Sequence, residues 1–176
     1  KARGGITVRL APGDTDAVEI RFFDADGRDI DESTQRKIER LLYREDYRRA
    51  FAADIGDIEY PPRSLEFYTS ALMDTVDQER LLKRAFKVVL DYSFGAASIV
   101  MPSVLAKTGA EVLSINPFAS TASATAALED RSARVSRLSE LVRASGSQLG
   151  VVMDPDGETA TIIDDEGNAL DNDQAL

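Results

Sequence analysis

The chain has 176 residues, 43% of them hydrophobic, with 31 acidic against 21 basic side chains and a net charge of −10. That is enough apolar material for one or two small domains, while the acidic excess argues against a general nucleic-acid binder, which needs basic surface to meet phosphate. The absence of cysteine and histidine excludes disulfide frameworks, Cys or His zinc sites and Ser-His-Asp or Cys-His catalysis within the chain, leaving carboxylates, Lys, Arg, hydroxyls, backbone amides or an oxygen-ligated metal.

The start, KARGGITVRL, has no initiator Met and no apolar run of signal-peptide length. It opens in a strand-like segment, so the chain reads as a fragment. Residues 6–11 and 17–23 are predicted as strands joined by the turn PGDTD. DADGRD then turns the chain, with Gly27 suited to positive φ. Asp31 or Ser33 is positioned to cap a helix over roughly 32–52, whose apolar positions Ile38, Leu41, Leu42 and Phe51 keep helical spacing. The bases Arg36, Lys37, Arg40, Arg44, Arg48 and Arg49 on this helix alternate with Glu39, Glu45 and Asp46. They read as a solvated face with internal ion pairs rather than an anion-binding stripe.

DIGDIEYPPRS breaks the pattern and predicts a linker near residue 60, so the expected units are 1–60 and 61–176. Two short helices, LEFYTSALMD and DQERLLKRAF, lead into the second unit. FKVVLDY then reads as a strand buried on both faces, and SFGAASIVMPSVLAKTG as a helix from about Ser93 to Gly109. This is the most apolar stretch of the chain, but it is short and interrupted by Gly95 and Pro102, so it cannot span a bilayer. AEVLSIN is a strand. Residues from about 125 to 145 form an amphipathic helix carrying Leu128, Val135, Leu138, Leu141 and Val142. QLGVVMD and TATIIDD are further strands, EGN turns, and DNDQAL resembles the start of another helix. Strand–helix–strand–helix–strand with short links predicts a three-layer α/β/α unit with a mostly parallel sheet. A soluble, cytoplasmic protein is the expectation.

In such sheets ligands sit beyond the carboxyl ends of the strands. The loops expected there are DYSFGA, NPFAST and DPDGET. Asp91 and Asp154 end their strands, and the SFGAA loop has helix-N-terminal amides to offer an anion. For Gly95, tight packing between strand and helix is the plainer explanation. Acids at 154, 156 and 158 raise the question of a metal loop.

The stretch FKVVLDYSFGAASIVMPSVLAKTGAEVLSIN is similar to the second domain of the α-D-phosphohexomutase superfamily, the phosphoglucomutases and phosphomannomutases. LSELVRASGSQLGVVMDPDGET resembles the next part of that domain, a helix, a strand and the metal loop Asp-Gly-Asp-x-Asp-Arg. Residues 4–23 resemble the end of the family's first domain, with paired glycines and a catalytic loop Thr-Ala-Ser-His-Asn-Pro. Laid without gaps from Gly4–Gly5, that loop becomes RLAPGD: the phosphoserine position falls on Ala11, the His on Pro12 and the Asn on Gly13. Alanine carries no oxygen for a phosphoryl group, and residues 1–30 contain no serine.

The resemblance places Asp154, Asp156 and Glu158 on the family's metal ligands, with Thr159 for its Arg and Pro155 for a Gly. Mg²⁺ wants oxygen ligands in octahedral array; it is a possible cofactor by resemblance, in a loop that has lost its chemical purpose. Arg9 and Arg21 lie near the old catalytic loop, and guanidinium forks suit phosphate. The resemblance implies a catalytically inactive module of a larger sugar-phosphate or nucleotide-sugar protein, like those carrying a mannose-1-phosphate guanylyltransferase domain. Its role there is scaffold, subunit contact or sugar-phosphate sensor. The alternatives are an active Mg²⁺-dependent mutase fragment and a sugar-phosphate binding module. Expected partners are flanking domains of the parent chain, a sugar phosphate and a second copy, with neither nucleic acid nor membrane.

Overall fold

The computed structural model of the chain describes residues 2–11, 14–120, 123, 130–171 and 173. The fold divides into two compact units, Lys1–Pro61 and Pro62–Leu176.

In the first unit, β1 (Gly5–Ala11) and β2 (Asp14–Phe23) form an antiparallel ribbon. Ile6 lies opposite Phe22, Val8 opposite Ile20 and Arg9 opposite Glu19. The two-residue period of a strand therefore sorts Ile6, Val8, Ile20 and Phe22 to one face and Thr7, Arg9, Glu19 and Arg21 to the other. Helix α1 (Glu32–Tyr43) comes next. Asp31 caps it: the carboxylate accepts the Thr34 amide at 3.0 Å and the hydroxyls of Ser33 and Thr34 at 2.6 and 2.7 Å. These bonds, the Ser33 hydroxyl first, hold the Asp31 carboxyl far below the usual carboxylate range.

The helix stops nine residues short of the predicted end at 52, by the difference from Tyr43, and Glu45 turns to φ 51°. Short helices depend on burying an apolar face. Tyr43 and Phe51 are 92% and 76% exposed, so further turns would have nothing to pack against. None of the described residues of this unit is fully buried.

The second unit begins with α2 (Ser64–Met73) and α3 (Gln78–Arg84). Then come β3 (Lys87–Asp91), α4 (Ala97–Thr108), β4 (Glu111–Ile115), α5 (Arg131–Ser145), β5 (Leu149–Met153) and β6 (Ala160–Ile163). The sheet order is β4-β3-β5-β6. The pairs β3–β4 and β3–β5 are parallel; β5–β6 is antiparallel, because the short 154–159 link allows only a hairpin.

Alternation along β3 fixes the layers. Val89 joins Val152, Ile163 and the α5 side chains Leu138 and Val142 in one buried cluster. Leu90 and Tyr92 join Ala97 in another, against Met101 and Leu105 of α4. Helices α5 and α4 thus cover opposite faces, the three-layer arrangement the segment order predicts. A Cβ on Gly150 would stand 2.5 Å from Val142 Cγ2, so glycine lets α5 settle onto β5. The predicted helix positions before Asp130, Leu128 among them, lie outside the described residues, as does most of DNDQAL.

Candidate functional site

The 154–159 loop joins β5 to β6. The Asp154 amide donates to the Thr159 carbonyl at 3.0 Å, and the Gly157 amide to the Asp154 carbonyl at 3.0 Å. One Asp154 carboxylate oxygen accepts the Glu158 amide at 3.0 Å, and the other accepts the Thr159 hydroxyl at 2.6 Å. Gly157 sits at φ 75°, the left-handed region a side chain resists. This is a hairpin turn closed by its own aspartate.

Two other turns in the chain are built the same way. In DADGR the Asp24 carboxylate accepts the Arg28 amide at 3.0 Å and Gly27 takes φ 80°. In DDEGN the Asp164 carboxylate accepts the Asn168 amide at 2.7 Å and Gly167 takes φ 81°. In all three the glycine amide donates back to the first Asp carbonyl, at 3.2, 3.0 and 3.0 Å. Aspartate, two residues, then glycine is a turn chemistry that needs no metal.

The resemblance puts Mg²⁺ on Asp154, Asp156 and Glu158, and the structure does not gather these three into a ligand set. Among the described residues no group of three or more acidic side chains is placed to hold a metal ion. Both Asp154 oxygens are drawn back over their own turn. The arrangement does not fit a resident octahedral cation.

The helix-terminal amides of SFGAA are also engaged. The Ala96 amide donates to the Pro155 carbonyl at 2.9 Å and the Gly95 amide to the Tyr92 carbonyl at 2.9 Å. A Cβ on Gly95 would lie 2.2 Å from the Pro155 oxygen. Glycine here serves close packing against the 154–159 loop rather than against the strand. The predicted helix start at Ser93 moves to Ala97 because Ser93 and Phe94 both take positive φ, 53° and 57°. The Gly95 and Ala96 amides thus go to protein carbonyls rather than standing open to an anion.

A polar cluster lies beside them, at the carboxyl edge of β3, where the sequence placed Asp91 but gave no role to Arg134. Asp91 is 2% exposed and Arg134, from α5, is 6% exposed. One Asp91 oxygen accepts the Ser93 amide at 2.8 Å and the Asn116 side-chain amide at 2.9 Å. The other faces Arg134 Nη1 at 3.7 Å. Arg134 Nη1 also donates to the Ser93 hydroxyl, which donates to the Met153 carbonyl. Asn116 takes φ 51° to reach in. Burial pulls the Arg134 pKa below its ordinary value, against the opposing pull of Asp91. Removing one partner of such a pair costs about 3–5 kcal/mol, because a bare charge stays behind. The available signal was a lone arginine on the apolar stripe of the 125–145 helix.

These groups border a cavity of about 460 Å³, lined also by Phe94, Ile115, Arg137 and Leu141. Phe94 packs edge-on against Phe118, with centroids 5.1 Å apart, and the Ser120 amide donates to the Phe94 carbonyl at 2.9 Å.

In the first unit, Ala11 ends β1 and offers only its methyl; Pro12 and Gly13 lie outside the described residues. Arg9 and Arg21 share one face of the ribbon, but each meets a carboxylate. Arg9 pairs with Glu19 at 3.2 Å, and Arg21 with Asp29 at 3.0 Å while lying 5.6 Å from the Phe23 ring centroid. On the ribbon each of these guanidinium groups thus sits against a carboxylate.

Residues 66–167 match the sequence model of phosphoglucomutase/phosphomannomutase, alpha/beta/alpha domain II, which is more than half of the chain. The chain belongs to the phosphoglucomutase/phosphomannomutase family. Among relatives, it is 27% identical over 175 residues to a phosphoglucomutase/phosphomannomutase of Thermococcus kodakarensis, covering 99% of this chain and 38% of that protein. It is 28% identical over 178 residues to a phosphoglucosamine mutase of Symbiobacterium thermophilum, covering 100% of this chain and 38% of that one. The crystal structure of a protein described as a phosphomannomutase of Thermus thermophilus superposes with a TM-score of 0.78 at 19% identity, over 100% of this chain and 40% of that chain; that likeness is one of fold. The chain spans less than half the length of these family members. Its phosphohexomutase-like α/β/α domain, expected from the sequence, is therefore established. No helix among the described residues is long and apolar enough to cross a membrane.

Proposed function

We propose that this chain is a catalytically silent phosphohexomutase-like module of a larger protein handling sugar phosphates or nucleotide sugars. Residues 1–60 supply the end of the family's first domain and residues 61–176 its second. The observation that carries the reading is Asp154, whose two carboxylate oxygens each accept a hydrogen bond from their own turn, from the Glu158 amide and the Thr159 hydroxyl. Ala11 supports it, because a methyl cannot relay a phosphoryl group. With the phosphate carrier and the cation site altered together, the module serves as scaffold, subunit contact or sugar-phosphate sensor. The parent we favour is a mannose-1-phosphate guanylyltransferase-like protein of the cytoplasm.

Incubation with glucose 1-phosphate or mannose 1-phosphate, Mg²⁺ and the matching 1,6-bisphosphate activator is expected to give no 6-phosphate product. Turnover that disappears in Asp154→Asn would overturn the proposal and favour an active Mg²⁺-dependent mutase.

A further inference from the structure

The three aspartate-closed turns differ in the residue just before their glycine. It is Asp26 before Gly27, Asp156 before Gly157 and Glu166 before Gly167. An aspartate followed by glycine can react with its own backbone, because the side chain closes a five-membered ring and glycine has no Cβ to crowd the attacking nitrogen. Glutamate would have to close a larger, slower ring, so the 164–168 turn has the same shape without the chemistry.

The two Asp–Gly bonds also have different surroundings. The 154–159 turn is pinned: the Pro155 carbonyl accepts the Ala96 amide at 2.9 Å, and a Cβ built at Gly157 would stand 3.7 Å from that of Ala97. At Gly27 nothing lies within 4 Å of such a Cβ, and residues 24–29 are all exposed. The Gly27 amide reaches the Asp24 carbonyl at 3.2 Å, against 3.0 Å for Gly157 and Asp154. No described residue of the first unit is fully buried, so opening this turn releases little packing.

We propose that the Asp26–Gly27 bond is a site of spontaneous isoaspartate formation in the folded chain, and that packing shields Asp156–Gly157 from the same reaction. The Gly27 backbone nitrogen gives up its proton and attacks Cγ of the protonated Asp26 carboxyl. A C–N bond forms, a C–O bond breaks and water leaves, giving a succinimide. Water then adds back to the ring. Addition at Cγ restores aspartate. Addition at the main-chain carbonyl breaks the original peptide C–N bond and routes the chain through the side chain, with a new α-carboxylate. Nothing is oxidised or reduced, and the water lost is regained. The product lengthens by one carbon the turn that sets Asp29 opposite Phe23 and beside Arg21.

The test is to hold the full chain in mildly acidic oxygen-18 water, folded and in urea, and to map its tryptic peptides by mass spectrometry with electron-transfer fragmentation. Each succinimide hydrolysis leaves one heavy oxygen at the reacting residue. In the folded chain Asp26 should gain label and isoaspartate roughly tenfold faster than Asp156, since local opening sets the rate. In urea the two should react at comparable rates. Asp26→Glu should abolish the label at that position and leave Asp156 unaffected. Absence of isoaspartate at Asp26, or equal rates at the two sites in the folded chain, would sink the proposal. A gap that persists unchanged in urea would sink it too, because neighbouring sequence rather than packing would then set the rates.

Discussion

Asp154 offers the most direct test at the scale of single residues. Asp154→Ala deletes the acceptor of both the Glu158 amide and the Thr159 hydroxyl, and two such bonds are worth about 1–3 kcal/mol together. Urea unfolding should show that loss, with Asp154→Asn keeping part of the stability because its amide oxygen still accepts. Adding Mg²⁺ should leave the urea midpoint of the parent chain unchanged. Asp164 makes the corresponding prediction for pH. The Asn168 amide, then its side chain, holds the Asp164 carboxyl below its ordinary value of 3.8. Its contribution to stability is therefore in place above that value and fades as pH falls through the lower folded value. A carbon-detected carboxyl titration should find the depressed midpoint, and Asn168→Ala should raise it part of the way back. The acids of all three turns were visible in the sequence. Their purpose was not, because a carboxylate facing its own loop and one facing a cation have the same letter. Only the repeated spacing of Asp and Gly at 24–27, 154–157 and 164–167 hinted at it.

At the scale of elements, the corner between β3 and α4 is a buried loop and should be far less tolerant than loops usually are. A Cβ at Gly95 collides with the Pro155 backbone, whereas one at Gly56 meets nothing within 4 Å. Gly95→Ala should cost about 1–3 kcal/mol as the two loops separate. Gly56→Ala should stay within about 0.5 kcal/mol. Thermal or urea melts of the two variants decide this. The same corner explains why the predicted helix begins late: Ser93 turns its amide to Asp91 and its hydroxyl to the Met153 carbonyl, and two residues accept positive φ to do so. Helix α1 errs at the other end. Its spacing continued to 52, but periodicity records what a face could bury, not whether anything arrives to bury it.

For the molecule as a whole, every fully buried residue among those described lies in the second unit. Residues 62–176 alone should therefore unfold cooperatively in urea, monitored by far-ultraviolet circular dichroism. Residues 1–61 alone should show no cooperative transition, since Ile6, Val8, Val18 and Ile20 stay at least half exposed and a two-stranded ribbon is marginal in water. The sequence by itself determined the α/β/α class, the strand order of the chain and the lack of cysteine or histidine chemistry. Those features come from periodicity, loop length and composition, which are local properties. The tertiary structure decided which carboxylates face inward, that Asp91 and Arg134 meet 43 positions apart, by the difference of their numbers, and that the acidic loop folds onto itself. Those are distances between segments remote in the chain, and packing, not spacing along the chain, sets them.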